Sequence, residues 1–160
     1  MCSSDLYGFL VRSGARHAEL EDLAHDVFVT AMRKWSTFDA TRPVRPWLLG
    51  IAYRVLLDLR RRASSSREVG GELPDVAGEQ QTGDDRVHAR EAQALVQQAL
   101  LSLEEDRRAA FVMCELQGMS PAEAAEAMGA PLATTYSRLR VAREEFTAAV
   151  RRIQLRRGEP

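Results

Sequence analysis

The stretch that most limits what this chain can fold into is residues 120–146, SPAEAAEAMGAPLATTYSRLRVAREEF. Ser120 is a favoured N-cap, Pro121 suits the first helical position, and Glu123 completes an S-x-x-E capping box. Ala122, Ala124, Ala125 and Ala127 keep this helix thin enough for close packing. Gly129 ends it, because the position after a helix usually needs a positive φ. Pro131 opens a second helix after a short turn. On that helix Leu132, Thr135, Leu139, Ala142 and Phe146 recur at steps of three and four and define one face. Thr134, Tyr136, Ser137, Arg138, Arg140 and Arg143 occupy the other. A capped short helix, a tight turn and a basic, hydroxyl-rich second helix predict a helix-turn-helix. The plainer alternative is an αα-hairpin in a helical bundle, with its arginines on a solvated face. The density of donors at the start of the second helix favours the first reading, since that end reaches base edges when such a helix lies in the major groove.

Charge is the obvious objection to a nucleic-acid role, because the 160-residue chain carries a net charge of −1. The average conceals segregation. Residues 1–62 hold 10 basic and 7 acidic side chains, residues 63–88 hold 2 and 6, and residues 89–160 hold 10 and 10. An acidic middle thus masks basic patches on either side. Cys2 and Cys114 form no CxxC, and His17, His25 and His88 are scattered without zinc spacing, so neither a disulfide framework nor a metal site is expected. No apolar run approaches the ~20 residues of a membrane span and no signal peptide is visible, so the expected location is the cytoplasm, with no membrane partner.

Taken in order, residues 1–6, MCSSDL, look like a translated sequencing adapter joined to a gene fragment. On that view the apolar stretch from Tyr7 to Ser13, closed by Gly14, is the end of a helix that begins upstream. Residues 19–35 predict an amphipathic helix, with Leu20, Leu23, Ala24, Val27, Phe28, Ala31, Met32 and Trp35 on its apolar stripe. Acids crowd its first half and Arg33 and Lys34 its last turn, which complements the helix dipole. Residues 38–46, FDATRPVRP, predict a basic loop. A third helix starts at Trp47, carries Leu48, Ile51, Ala52, Val55, Leu56 and Leu59 inward, and ends in Arg60, Arg61 and Arg62. Arginines at a helix C-terminus have a purely electrostatic explanation. A basic loop and a triple-arginine end bracketing one helix, with Trp35, Phe38, Trp47 and Tyr53 close in sequence, also suit single-stranded nucleic acid, though both tryptophans are expected mainly in the core.

Residues 63–88 predict an acidic linker rich in Ser and Gly, allowing two domains to move independently. Helices are expected again over 88–103 and 104–117, stopped by Gly118, and the arginines after residue 150 are expected to form a fraying basic tail. The fold class is therefore all-α, with two small helical domains, 7–62 and 89–154, joined by a flexible acidic segment.

Together these segments resemble a bacterial RNA polymerase sigma factor of the extracytoplasmic-function group. Residues 19–62 resemble sigma domain 2 through E-D-L-x-x-[DE]-V-F, the F-D turn, W-L-x-x-I-A and D-x-x-R-R. Residues 99–146 resemble sigma domain 4 through A-L-x-x-L, R-x-x-F, G-x-S-x-x-E-x-A and T-x-x-S-R-L-x-x-A-R. The resemblance implies that Asp22, Leu23, His25, Asp26, Val27 and Phe28 dock on the β′ coiled coil of core polymerase. It implies that the loop and helix carrying Phe38, Arg42, Arg45, Trp47, Tyr53, Arg54, Arg60, Arg61 and Arg62 melt and hold the −10 promoter element. Domain 4 would bind the β flap and read the −35 element with Thr134, Tyr136, Ser137, Arg138, Arg140 and Arg143. Many members of the group are restrained by an anti-sigma protein. The sequence departs from the family pattern at His25, at Tyr53-Arg54, at Glu104 and at Tyr136.

Two other functions compete. A stand-alone helix-turn-helix regulator of duplex DNA accounts for the second half but needs no basic-aromatic loop in the first. A small all-α enzyme lacks support: the sequence has no Gly-rich phosphate loop, no metal cluster and no nucleophile beside a base, and the paired acids Asp84 and Asp85 fall in the expected linker. No cofactor is expected.

Overall fold

The computed structural model describes residues 2–65 and 84–158, and these are helical with no strand among them. Seven α-helices follow in order: α1 Cys2–Arg12, α2 Leu20–Arg33, α3 Val44–Ser65, α4 Asp84–Leu101, α5 Glu105–Phe111, α6 Pro121–Met128 and α7 Leu132–Arg157. Most of the predicted linker, residues 66–83, lies outside the described residues. Its ends do not: α3 runs on to Ser65, and α4 starts at Asp84 rather than near His88.

The first half is built on α1, whose Leu6, Phe9 and Leu10 are wholly buried at the i, i+3, i+4 spacing of one helix face. Leu6, the last residue of MCSSDL, sits in this core. Gly14 adopts φ 93° just after α1, where the N–H groups of Gly14 and Ala15 return to the carbonyls of Val11 and Leu10 at 3.0 Å each. Leu20, Leu23, Ala24, Val27 and Ala31 of α2 face α1 and α3. The stripe fails at its end. Trp35 is 59% exposed and Met32 78%: Met32 lies within α2 on its outer side, and Trp35 falls beyond the helix end at Arg33, in a 3₁₀ turn over residues 35–37 that breaks the 3.6-residue register. The expectation that Trp35 is a core residue is thus wrong, whereas Trp47 is half-buried against the core. The predicted loop is also shorter than expected: α3 begins at Val44, so Arg45 and Pro46 lie in its first turn, where proline is tolerated.

In the second half the helix-turn-helix forms as the sequence predicts. The Ser120 Oγ accepts from the Glu123 N–H at 3.2 Å, Glu123 accepts in return from the Ser120 N–H at 2.8 Å, and Gly129 takes φ 63°. Thr135, Leu139, Ala142 and Ala149 of α7 face inward, and Phe146 stacks on Phe111 at 4.7 Å between ring centroids. Leu132 departs from its predicted face and is 46% exposed. The predicted fraying tail is instead the last turns of α7, which is helical to Arg157 and closed by Gly158 at φ 70°. Between α5 and α6, residues Val112–Leu116 widen into a π-helical turn, which brings Gln117 into the interior.

The two halves pack as one body. A single cluster of buried apolar side chains runs from Leu6, Phe9 and Leu49 through Leu100, Val112 and Met113 to Ala127 and Ala142. The closest approach is α3 on α6, where a Cβ added at Gly50 would lie 3.0 Å from the Ala127 carbonyl oxygen. Whatever movement residues 63–88 allow, in this arrangement the described halves are in contact. A half of this size has little core of its own, and the merger supplies it with more.

Candidate nucleic-acid interface

Three surfaces carry the predicted site residues. The first is the outer face of α2. Leu23 and Val27 point inward and only position this helix. Asp22, His25, Asp26 and Phe28 point outward, with Phe28 39% exposed. Phe28 and Met32, four residues apart on α2, are exposed, as is Trp35 in the 3₁₀ turn beyond it, and together they form an apolar ridge. The sequence pattern put Met32 and Trp35 on the apolar stripe and so missed the ridge; the helix end at Arg33 accounts for Trp35. An apolar ridge of this kind on a helix marks a surface suited to a protein partner.

The second surface is the loop between α2 and α3 together with the outer side of α3. Trp35, Phe38 and Trp47 form an aromatic cluster with centroid separations of 5.3, 6.0 and 4.9 Å. Asp39 turns the loop by accepting from the N–H and hydroxyl of Thr41 at 3.0 and 2.7 Å, and these bonds hold its carboxyl below the usual carboxylate range. Four side chains around this cluster, Arg42, Arg45, Tyr53 and Arg60, donate to the second half of the chain. Both terminal nitrogens of Arg42 donate to the Glu126 carboxylate. Arg45 donates to Gln117 Oε1 at 2.6 Å and pairs with Asp5 at 3.2 Å. The Tyr53 hydroxyl is buried and donates to Asp106 Oδ1 at 2.6 Å. Burial first, and then the Asp106 carboxylate, raise the pKa of that phenol. Arg60 donates to Glu105 and to the Ser13 carbonyl. Arg54, Arg61 and Arg62 are exposed, and Arg61 has only a 3.9 Å contact with Asp58. A cleft of about 220 Å³ opens between Phe38, Trp47 and Arg54 on one side and Glu123 and Glu126 on the other.

The third surface is the start of α7. Thr134, Tyr136, Ser137, Arg140 and Arg143 are exposed there. Arg140 bonds only one turn along its own helix, to Glu144 at 2.8 Å, and Arg143 reaches Glu115 at 2.5 and 2.8 Å. Arg138 is different. It is half-buried, and its Nη2 donates to Asp106 Oδ2 at 2.5 Å. Asp106 therefore holds one donor from each of the second and third surfaces.

Further residues that sequence reasoning did not single out hold the halves together. Gln97 donates to the Val11 carbonyl at 2.7 Å, and Arg108 donates to the Ser13 carbonyl at 3.0 Å and the Leu103 carbonyl at 2.8 Å. Burial, with the neighbouring Arg60 cation, pulls the Arg108 pKa down to about 10. Two arginines thus converge on the C-terminal carbonyl end of α1, where a helix dipole favours cations. Among the described residues no group of three or more His, Cys, Asp or Glu is placed to hold a metal ion. No described helix is long and apolar enough to cross a membrane.

Comparison with known proteins follows the same division. Residues 2–66 match the family model of Sigma-70 region 2, and residues 93–146 match that of Sigma-70, region 4. The sigma factor SigC of Mycobacterium tuberculosis, of the extracytoplasmic-function group, is 34% identical over 131 residues, covering 80% of this chain and 68% of its own. The fold is that of the sigma factor RpoE of Bartonella quintana, solved with the anti-sigma factor NepR: TM-score 0.69, 22% identity, 91% of this chain and 89% of that one. CnrH, solved with the cytosolic domain of CnrY, gives a TM-score of 0.65 at 25% identity over 91% of this chain and 80% of its own; a CnrH sequence from Cupriavidus metallidurans is 31% identical over 143 residues. With both regions matched in order and this identity over most of both chains, the chain belongs to the extracytoplasmic-function group of RNA polymerase sigma factors, which direct promoter-specific transcription initiation.

Proposed function

We propose that the work is divided between the halves as follows. Residues 7–62 dock on core polymerase through the outward residues of α2 and hold the −10 element through the loop and outer side of α3. Residues 89–154 place the start of α7 in the −35 major groove. Residues 63–88 connect them. The protein is an initiation factor rather than an enzyme, and it works in the cytoplasm. The β′ coiled coil is the partner of the α2 ridge, the β flap that of the second half, and an anti-sigma protein is the restraining partner, as the names of the solved neighbours suggest by analogy.

The observation that carries this reading is the start of α7. Its first turns hold two hydroxyls, a phenol and two arginines in the open, behind a properly capped α6 and a left-handed Gly129. Such side chains at a helix N-terminus bond phosphates and base edges together. The stand-alone regulator is not favoured, because it leaves the match of residues 2–66 to Sigma-70 region 2 without a purpose.

The test compares Arg140→Ala with Asp26→Ala in reconstituted transcription, alongside co-elution with core polymerase. Arg140→Ala should lower promoter-dependent transcription by about tenfold, the size of one lost DNA contact of ~1–3 kcal/mol, with polymerase binding intact. Asp26→Ala should weaken co-elution. If Arg140→Ala loses polymerase and transcription in equal measure, the proposed DNA role of α7 fails.

A further inference from the structure

By its spacing Leu132 belongs to the inward pattern of α7, yet in the fold it lies outside that face. It is 46% exposed, and Tyr136, one turn further on, is 56% exposed. Residues four apart on a helix are surface neighbours, and Ala133 beside them is exposed as well. The two large side chains therefore make one small apolar patch rather than two scattered exceptions.

The local structure holds that patch outward. Thr135 is wholly buried, and its N–H and hydroxyl both donate to the Pro131 carbonyl, at 3.0 and 3.2 Å. With Leu139 and Ala142 it sets which side of α7 faces the core. Tyr136 follows Thr135 by one residue, about 100° round the helix, and so turns away from that side. Leu132 lies at the start of the first turn, and Gly129 and Pro131 just before it are exposed too. Thr134, Ser137 and Arg140, proposed above to enter the −35 major groove, are exposed on the same end of the helix.

A major groove offers little that is apolar. Base edges present donors and acceptors there, and the thymine 5-methyl is the apolar group among them. Resting on the division of labour proposed above, we infer that Leu132 and Tyr136 read thymine in the −35 element through its 5-methyl group. Neighbours of this kind have Cβ atoms about 5–6 Å apart, and successive base pairs are about 3.4 Å apart. The two thymines therefore fall one or two steps from each other. Arginines and hydroxyls bond phosphates as well as bases, but a leucine gains nothing from a phosphate. The patch thus serves the choice of sequence and not general attraction to DNA.

The test removes the methyl and nothing else. Duplexes retained by the full chain on core polymerase are selected from a random 40-base-pair library. The enriched upstream element is then rebuilt with uracil at each thymine in turn, which keeps the pairing with adenine and lacks only the 5-methyl. At two positions, one or two steps apart, uracil should weaken binding about fourfold, the effect of one buried group of that size. Leu132→Ala should make one of these positions indifferent to uracil, and Tyr136→Ala the other. Arg140→Ala should weaken thymine and uracil duplexes alike.

Uracil without effect at every position overturns the inference. A thymine preference that survives both Leu132→Ala and Tyr136→Ala also overturns it, because DNA shape or another side chain then does the reading. Loss of co-elution with core polymerase in Leu132→Ala would assign the patch to a protein partner, with the same consequence. In each of these cases the preceding section stands as long as Arg140→Ala weakens binding to the selected duplex. If no duplex is enriched, or Arg140→Ala changes nothing, the DNA role of α7 fails and the inference fails with it.

Discussion

The outer face of α2 and the outer side of α3 belong to the same half of the molecule and meet their surroundings in opposite ways. On α2 and in the turn that follows it, Phe28, Met32 and Trp35 are exposed. On α3 and its loop, Arg42, Arg45, Tyr53 and Arg60 are each bonded across to the other half or to the end of α1. The physics of the two is different. Exposed apolar area is relieved only by a partner that buries it. Bonded donors can exchange one set of acceptors for another with a small net change, because each bond broken is replaced by one of the same kind. An open apolar face is thus permanently available, whereas a satisfied polar face is conditional and can switch.

The sharpest way to break this comparison is within α2 itself. Leu23→Ala should cost about 2–5 kcal/mol of stability in chemical denaturation, the usual range for truncating a buried leucine. Phe28→Ala, one turn further along and facing out, should change stability by no more than about 0.5 kcal/mol while weakening polymerase binding by about tenfold or more, as loss of an interface aromatic does. If Phe28→Ala proved as destabilising as Leu23→Ala, the ridge would be core and the α2 face would be no interface.

A smaller effect separates neighbours on α3. Tyr53→Phe removes one hydrogen bond to Asp106 and leaves that carboxylate its bond to Arg138, so the expected loss is about 0.5–1.5 kcal/mol. Arg54 is exposed and has no ion pair among the described residues, so Arg54→Ala should stay within about 0.5 kcal/mol. Urea midpoints measured side by side would decide it, and equal losses would show that the contact across the halves adds nothing to stability.

These contrasts also mark where the sequence was legible. Local chemistry read well: the Ser120 box, Gly129 and the inward face of Thr135, Leu139 and Ala142 all appear where periodicity and capping place them. Residues at the end of a periodic run read badly. Met32 and Trp35 continue the α2 stripe on paper, but Met32 lies on the outer side of the last turn and Trp35 falls beyond the helix end at Arg33. Long-range polar contacts were not legible at all. Asp106 reads as an acid placed to suit a helix N-terminus, and Gln117 as the last residue before a stopping glycine; nothing local says that either reaches α3. The composition of residues 63–88 suggests independent halves, yet it is blind to the complementary apolar faces of α3 and α6 that bring them together. The three surfaces were read as groups of neighbours in sequence, and Leu23 and Val27, which are buried, were included with them because a motif carries its core positions along with its exposed ones.

The ion pair between Arg42 and Glu126 is more exposed than that between Arg60 and Glu105, and acid should separate it from the rest. The Arg42 hydrogen bond, and then its charge, hold the Glu126 carboxyl below its ordinary value of 4.5. A carboxyl whose folded pKa is depressed contributes its full share above the unfolded value and loses it as the pH falls through the folded one. The contribution is therefore present above about pH 4.5 and fades below it. Both side chains are more than half exposed, so solvent screens the pair and the effect must be small. Asp39 and Glu123 also face Arg42, and other carboxyls titrate in the same range; the difference between the unaltered chain and Glu126→Gln removes them from the comparison. Urea midpoints recorded from pH 6 to pH 3.5 should fall slightly more steeply for the unaltered chain. Parallel curves would mean that Arg42 gains nothing from Glu126, leaving Glu105, Asp106 and Gln117 to hold the polar side of the contact; a steeper fall confined to the unaltered chain would place α6 among the elements that hold the halves together.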